Sequence, residues 1–273
     1  MKILEGLNTR IFDFHTHIFP ERIAEKATAG IGEFYDMPMR HKGTAEDLTA
    51  RLKQNGVGGA MVCSVATVPE QVAVINDFIA QSVADSNGFL MGFCSLHPDM
   101  SESELDNEIN RAISLKLCGI KLHPDIQRFE ADSNKACAVY EIIGSRLPVL
   151  IHAGDSRFSY SSPHRIAAVL DSFPALTVIA AHFGGWSEWD DAATALAERS
   201  NLYVDTSSSL YEITPQKAVE YINIFGEDRV MFGTDYPMWD IAEELRRFDR
   251  LELPQSVREK ILCTNAMKLL KRG

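Results

Sequence analysis

Short apolar runs recur along the chain, and between them lie longer stretches whose apolar positions return every three or four residues. The runs are IFDFHTH from Ile11, GGAMVCSV from Gly58, GFLMGFCSL from Gly88, CGIKLH from Cys118, PVLIH from Pro148, LTVIAAH from Leu176, LYVDT from Leu202 and RVMFGTD from Arg229. Most are continuous rather than alternating, the pattern of strands buried on both faces in a parallel sheet covered by helices. The helical stretches fall at 44–55, 69–84, 101–117, 134–144, 163–173, 187–199 and 214–225, with two more at 241–248 and 254–270. The first has a threonine N-cap, Thr44, an acid three residues on, Asp47, and a stop at Gly56. Eight strand–helix units in strict alternation predict an α/β fold of the closed (β/α)8 TIM-barrel kind. No Pro/Gly/Ser-rich linker interrupts them, so residues 1–273 read as a single barrel domain.

Residues 18–43 break the alternation. They contain Pro20, Gly30, Gly32, Pro38 and Gly43, and read as a loop inserted after the first strand, with a short helix at 21–29. From there the loop would cover the active-site mouth. Phe19, Phe34, Tyr35, Met37 and Met39 then either face a substrate or form a satellite apolar cluster.

Polar residues in apolar strands need a reason, and here they gather at one end. His15 and His17 close the first strand, Lys121 and His123 the fourth, His152 the fifth, His182 the sixth and Asp235 the eighth. Barrel enzymes build their sites at that C-terminal end. Side chains two apart on a strand share a face, so His15 with His17, and Lys121 with His123, aim the same way. Three imidazoles and one carboxylate can hold a divalent ion and leave a position open for water or substrate. Such an ion brings the pKa of bound water to around 7. Asp235 could both ligate the metal and accept the water's proton, and His182 could shuttle a proton or polarise a carbonyl. Lys121 reads as a cation for a substrate carboxylate or as a buried ion pair with Asp13 or Asp205. His123, before Pro124, is a turn histidine or a substrate contact. Arg157, after the fifth strand, is a candidate carboxylate clamp or a solvated loop residue.

Composition narrows the partners. A net charge of −11 gives no footprint for nucleic acid or for an anionic membrane surface. No apolar run is long enough to span a bilayer, and the first residues lack the apolar core of a signal peptide. The five cysteines have no close-spaced pair and suggest reduced thiols in a cytoplasmic protein. No glycine-rich phosphate loop follows a strand. A small-molecule substrate is the expected partner.

The stretches FHTH from Phe14, KLHP from Lys121, IHAG from Ile151, AHFGG from Ala181 and GTDYP from Gly233 resemble the amidohydrolase superfamily. They are most similar to its amidohydrolase-2 branch, related to aminocarboxymuconate-semialdehyde decarboxylase, and Asn265-Ala266 resembles the branch's C-terminal motif. The resemblance implies that His15, His17, His152 and Asp235 bind one divalent metal, often zinc, with His182 as a catalytic or metal-proximal histidine. Two-metal members carry a carboxylated lysine where Lys121 stands, so a second ion is the alternative. Family members are often dimers, which makes a homodimer an option. The first expectation is a metal-dependent hydrolase of an amide, lactone or ester bond. The alternatives are a metal-dependent non-oxidative decarboxylase of a small carboxylic acid and a non-catalytic metal-binding protein.

Overall fold

The computed structural model describes residues 11–270. Nine short strands run parallel: β1 (Ile11–His17), β2 (Val57–Cys63), β3 (Leu90–Gly92), β4 (Cys94–Ser95), β5 (Ile120–Leu122), β6 (Val149–Ile151), β7 (Val178–Ala180), β8 (Leu202–Asp205) and β9 (Val230–Met231). β3 and β4 are two halves of one stave broken at Phe93, whose N–H donates back to the Val62 carbonyl at 3.0 Å. The staves are therefore the eight expected. β4 to β9 form one continuous ladder and β1 to β3 another. Beyond β9 the chain stays extended against β1 and closes the ring. Phe14 N–H donates to Phe232 O at 2.8 Å, Asp235 N–H to His15 O at 2.8 Å, and His17 N–H to Tyr236 O at 2.7 Å. A closed ring leaves no edge strand unpaired.

Two apolar layers hold this ring. The barrel interior is filled by Phe12, Phe14, Met61, Phe93, Leu150, Ile179 and Met231, with Leu269 and Leu270 of the last helix beneath them. A larger cluster lies between the ring and the helices outside it. β1 has two irregularities in its pairing with β2. Such bulges re-aim side chains. They let Phe12 and Phe14 pack inside while His15 and His17 turn to the mouth.

The N-caps follow the sequence. Thr44 accepts from Asp47 N–H at 3.2 Å, and Ser101 with Glu104 forms a capping box. Residues 18–43 differ from the expected loop. They hold a 15-residue helix, Glu21–Tyr35, which runs well past 29. Gly30 and Gly32 had signalled a break, but Gly32 serves packing instead. A Cβ there would lie 3.0 Å from the Met37 carbonyl of the returning chain. Two further differences are the four-residue helix Pro124–Gln127 and a π-helical stretch, Lys260–Thr264, within the last helix.

Cys63, Cys94, Cys118 and Cys137 are free thiols. Among the described residues, no helix is long and apolar enough to cross a membrane.

Asn265 explains part of the C-terminal signal. Its side chain is buried and donates to the Glu227 carbonyl at 2.8 Å and the Val230 carbonyl at 2.7 Å, tying the last helix to β9. Asn265→Ala leaves both carbonyls without that donor. We expect a loss of about 1–3 kcal/mol in urea unfolding, with an unchanged m-value.

Candidate metal centre and its surroundings

The site begins where β1 ends. His15 Nε2 lies 3.2 Å from His17 Nε2, and Asp235 Oδ1 lies 3.7 Å and 3.3 Å from those two atoms. Four tetrahedral ligands at roughly 2.0–2.1 Å from a zinc ion stand about 3.3 Å from one another. The three donor atoms thus have the spacing of ligands on one small cation.

Each ligand is held from behind. His15 Nδ1 faces Asp205 Oδ2 at 3.0 Å. A carboxylate accepts, so Nδ1 carries the proton and Nε2 keeps its lone pair for the site. His17 Nδ1 rests 3.6 Å from the Cys63 thiol. Asp235 accepts from Ser208 Oγ at 2.6 Å, and Ser208 in turn accepts from Trp239 Nε1 at 2.9 Å. Asp235 itself does not end a strand. It sits past β9 in the left-handed region, at φ 62°, and His182 opens a short 3-10 turn at φ 61°. Non-glycine residues held there carry backbone strain, which clusters at functional sites.

His182 stacks on His15 with ring centroids 5.3 Å apart. Its Nδ1 faces the Ser207 carbonyl at 3.0 Å, so that nitrogen carries the proton. Its Nε2 then accepts from His152 Nδ1 at 3.0 Å. This arrangement leaves His152 Nε2 bare, buried and without a partner, 3.9 Å from Asp125 Oδ2. Of the four ligands expected, His15, His17 and Asp235 converge. His152 does not join them in this arrangement but groups with His123 and Asp125. A third grouping combines His15, His182 and Asp205.

The electrostatics follow from burial. His152 and His123 are pushed well below the usual histidine range, first by burial and then by neighbouring cationic groups. His15 falls to about 4 for the same first reason, with Lys121 adding to it. These three rings are neutral at pH 7, whereas His17 of the donor trio is raised to about 9: burial acts to lower it, but Cys63 and the hydrogen bond to Asp235 outweigh that, so an ion bound there has to displace its proton. For Asp235, burial acts to raise its pKa. Its hydrogen bond to His17 and the charges of His15 and His182 outweigh that and keep it ionised far below the ordinary range. Asp125, by contrast, is raised to about 7 by burial and by Asp155.

Lys121 is 1% exposed, and its Nζ lies 3.1 Å from His15 Nε2, beside the point where the donors meet. Its ion-pair alternatives resolve otherwise. Asp13 accepts from Thr234 N–H at 2.9 Å and Thr234 Oγ1 at 2.7 Å, and Asp205 serves His15. Burial lowers the pKa of Lys121. His123 takes the turn role of the two expected for it. Its Nδ1 caps the Pro124–Gln127 turn and its Nε2 meets the Tyr35 hydroxyl at 2.8 Å.

Arg157 is a partly solvated loop residue whose guanidinium is already engaged. Its guanidinium makes a two-point contact with Asp155, at 2.9 Å and 2.7 Å, and donates to the Phe34 carbonyl at 2.7 Å. It also stacks among Phe34, Tyr35, Phe158 and Trp186, with centroids 5.1–5.4 Å away. It therefore pins the end of the helix Glu21–Tyr35 to the loop after β6. Gly154, in that loop, has φ +79°, and a Cβ there would lie 2.5 Å from the backbone of Gly185 and Trp186. No other residue fits between the loops that carry His152 and His182.

Sequence reading undervalued Asp205 and missed Ser207, Ser208 and Asp125. The signal for the first three was present: Asp205 ends an apolar strand and is followed by four hydroxyl residues, Thr206 to Ser209, all buried.

A closed parallel barrel with histidines and an aspartate converging at its C-terminal mouth defines a metal-site barrel of the amidohydrolase type. The family model described as Amidohydrolase (Amidohydro_2) matches residues 12–272, and the chain belongs to that family. Among solved structures, an uncharacterized TIM-barrel protein from Bordetella bronchiseptica is similar at 21% identity and TM-score 0.80, covering 96% of this chain and 99% of that one. 5-Carboxyvanillate decarboxylase from Sphingomonas paucimobilis is similar at 17% identity and TM-score 0.75, covering 97% and 99%. A dihydroxybenzoic acid decarboxylase from Polaromonas, with bound manganese and the inhibitor 2-nitroresorcinol, is similar at 17% identity and TM-score 0.73, covering 96% and 97%. No curated protein matches the chain in sequence.

The donor set fits a divalent ion held by His15, His17 and Asp235. Protein purified without chelator should carry about one zinc or manganese per chain by elemental analysis. The His15→Ala/His17→Ala double variant should carry almost none. Full metal in that variant would contradict the assignment.

Proposed function

We propose that this protein is a divalent-metal-dependent, non-oxidative decarboxylase of a small aromatic carboxylic acid. The carrying observation is the donor trio of His15, His17 and Asp235 facing the linked pair His152–His182, under an aromatic roof of Tyr35 and Trp186. The likeness to two decarboxylases of hydroxylated aromatic acids supports this alternative over the hydrolase that ranked first on sequence. A bound divalent ion would supply a fixed positive centre for the substrate's anionic oxygens.

The remaining work falls to the chain. Loss of CO2 breaks the bond from the ring carbon to the carboxylate carbon. A proton must take the vacated place on that carbon. His182 is suited to deliver it once its ring has taken up a solvent proton on Nε2: Nδ1 stays fixed on the Ser207 carbonyl, and release of the Nε2 proton to the carbon returns the neutral ring. Tyr35 and Trp186 meet edge to face at 5.2 Å and His123 stacks on His152 at 4.0 Å, which gives flat walls for a planar ring. Lys121 is proposed to meet a substrate oxygen as a cation rather than to bridge a second metal. Hydrolysis is the second reading, favoured by the family's own description as amidohydrolases.

Incubation with dihydroxybenzoic acids, 5-carboxyvanillate and a lactone panel, while following CO2 release and acid production, separates the two. We expect CO2 from a hydroxylated aromatic acid. Lactone opening without CO2 would overturn the decarboxylase reading. His182→Asn should keep the metal and lower kcat by about 10²–10⁴-fold. Lys121→Met should keep one metal per chain and raise KM more than it lowers kcat. Loss of one of two metals in that variant would instead make Lys121 a bridging ligand.

A further inference from the structure

The helix Glu21–Tyr35 brings one polar group to the barrel mouth, and its proton can be traced. His123 Nδ1 accepts from the Ile126 backbone N–H at 3.3 Å. An amide N–H can only donate, so the neutral ring carries its proton on Nε2. That Nε2–H lies 2.8 Å from the Tyr35 hydroxyl oxygen and donates to it. The oxygen is thereby used as an acceptor, and its own proton has no acceptor among the described residues. The phenol stands beside His123 and His152, with ring centroids 6.4 Å and 6.2 Å away.

We infer that Tyr35 is a substrate-contacting residue whose hydroxyl donates a hydrogen bond to an anionic oxygen, carboxylate or phenolate, of the aromatic acid bound at the mouth. The inference rests on the decarboxylase reading above and adds a specificity determinant to it. Three features fit. First, the hydroxyl is oriented by His123, so it enters binding with one rotor already fixed. Second, the ring is held in place by Trp186 at 5.2 Å and by the Arg157 guanidinium at 5.3 Å, itself locked to Asp155. Third, Arg157 is committed to that lock, and Lys121 Nζ lies 3.1 Å from His15 Nε2, so it can serve only a substrate oxygen beside the metal donors. A neutral donor is then the group left to recognise a substrate oxygen away from the metal. Burial, followed by the nearby carboxylates Asp235, Asp125 and Asp155, holds the phenol well above its usual pKa. It stays a donor throughout the neutral range.

The test is binding of 2-nitroresorcinol and of a dihydroxybenzoate to metal-loaded wild type and Tyr35→Phe, read by absorbance and calorimetry. Metal content and Tm are measured beside it. Tyr35→Phe keeps the ring and removes only the hydroxyl. We expect unchanged metal and Tm, with Kd raised about 10- to 100-fold, the worth of one hydrogen bond to a charged group. A dihydroxybenzoate turned over by the wild type should show the same loss mainly in KM. A larger loss for the nitroresorcinol assigns the bond to a phenolate oxygen. A larger loss for the benzoate assigns it to the carboxylate. Wild-type Kd in Tyr35→Phe overturns the inference and leaves the decarboxylase reading intact. Loss of metal or Tm in the variant also overturns it, by making Tyr35 structural. Failure of the wild type to bind either compound or to release CO2 overturns the reading, and the inference with it.

Discussion

One buried carboxylate organises the mouth of this barrel. Asp205 is fully buried at the end of β8, and burial alone would raise its pKa. It stays ionised because β1 and the segments that follow β7 and β8 feed it donors. His15 Nδ1 reaches Oδ2 at 3.0 Å, while the N–H groups of His182 and Ser207 reach Oδ1 at 3.2 Å and 3.0 Å. The Ser207 hydroxyl donates to it as well. A buried charge without such partners costs several kcal/mol, so the arrangement holds together as a set or fails as a set. By satisfying Asp205, the chain fixes the tautomer of His15 and the position of His182 at once. The lone pair of His15 is thereby turned toward His17 and Asp235.

Above this floor, the helix Glu21–Tyr35 acts as a roof. Its closing end is not held by apolar packing alone. Arg157, anchored by two hydrogen bonds to Asp155 in its own loop after β6, reaches the helix by one hydrogen bond to the Phe34 carbonyl and by stacking on Phe34 and Tyr35. Arg157 keeps 37% of its side chain exposed, so it is the stacking and the buried partner Asp155 that set this pair apart from an ordinary surface ion pair. The same contacts set the place of Tyr35, so the roof and the site are one construction.

Much of this was legible in the sequence, and the reason is periodicity. Strands buried on both faces write themselves as apolar runs, and a histidine or aspartate at the end of such a run is conspicuous. His15, His17, Lys121, His152, His182 and Asp235 were all singled out as candidates in that way. What was not legible depended on contacts between distant segments. Gly30 and Gly32 read as helix breakers, because nothing local shows that Met37 packs back against the helix. Asp125 looked like an ordinary residue after a proline, because its closeness to His152 arises from the barrel's curvature. Arg157 could not be assigned from its neighbours, since Phe34 and Trp186 lie far from it in sequence. The partner of His152 likewise depends on which ring nitrogen faces which strand.

The central claim is that a divalent ion sits on His15, His17 and Asp235, with the Cys63 thiol left behind His17 rather than bound. X-ray absorption spectroscopy on the zinc- or manganese-loaded protein tests this most directly. The account predicts a first shell of light atoms only, fitted by at least two imidazoles and one carboxylate oxygen at about 2.0–2.2 Å. The outer-shell imidazole scattering should fall when His17 is replaced. A sulfur scatterer near 2.3 Å, or an imidazole signal unchanged by that replacement, would contradict it.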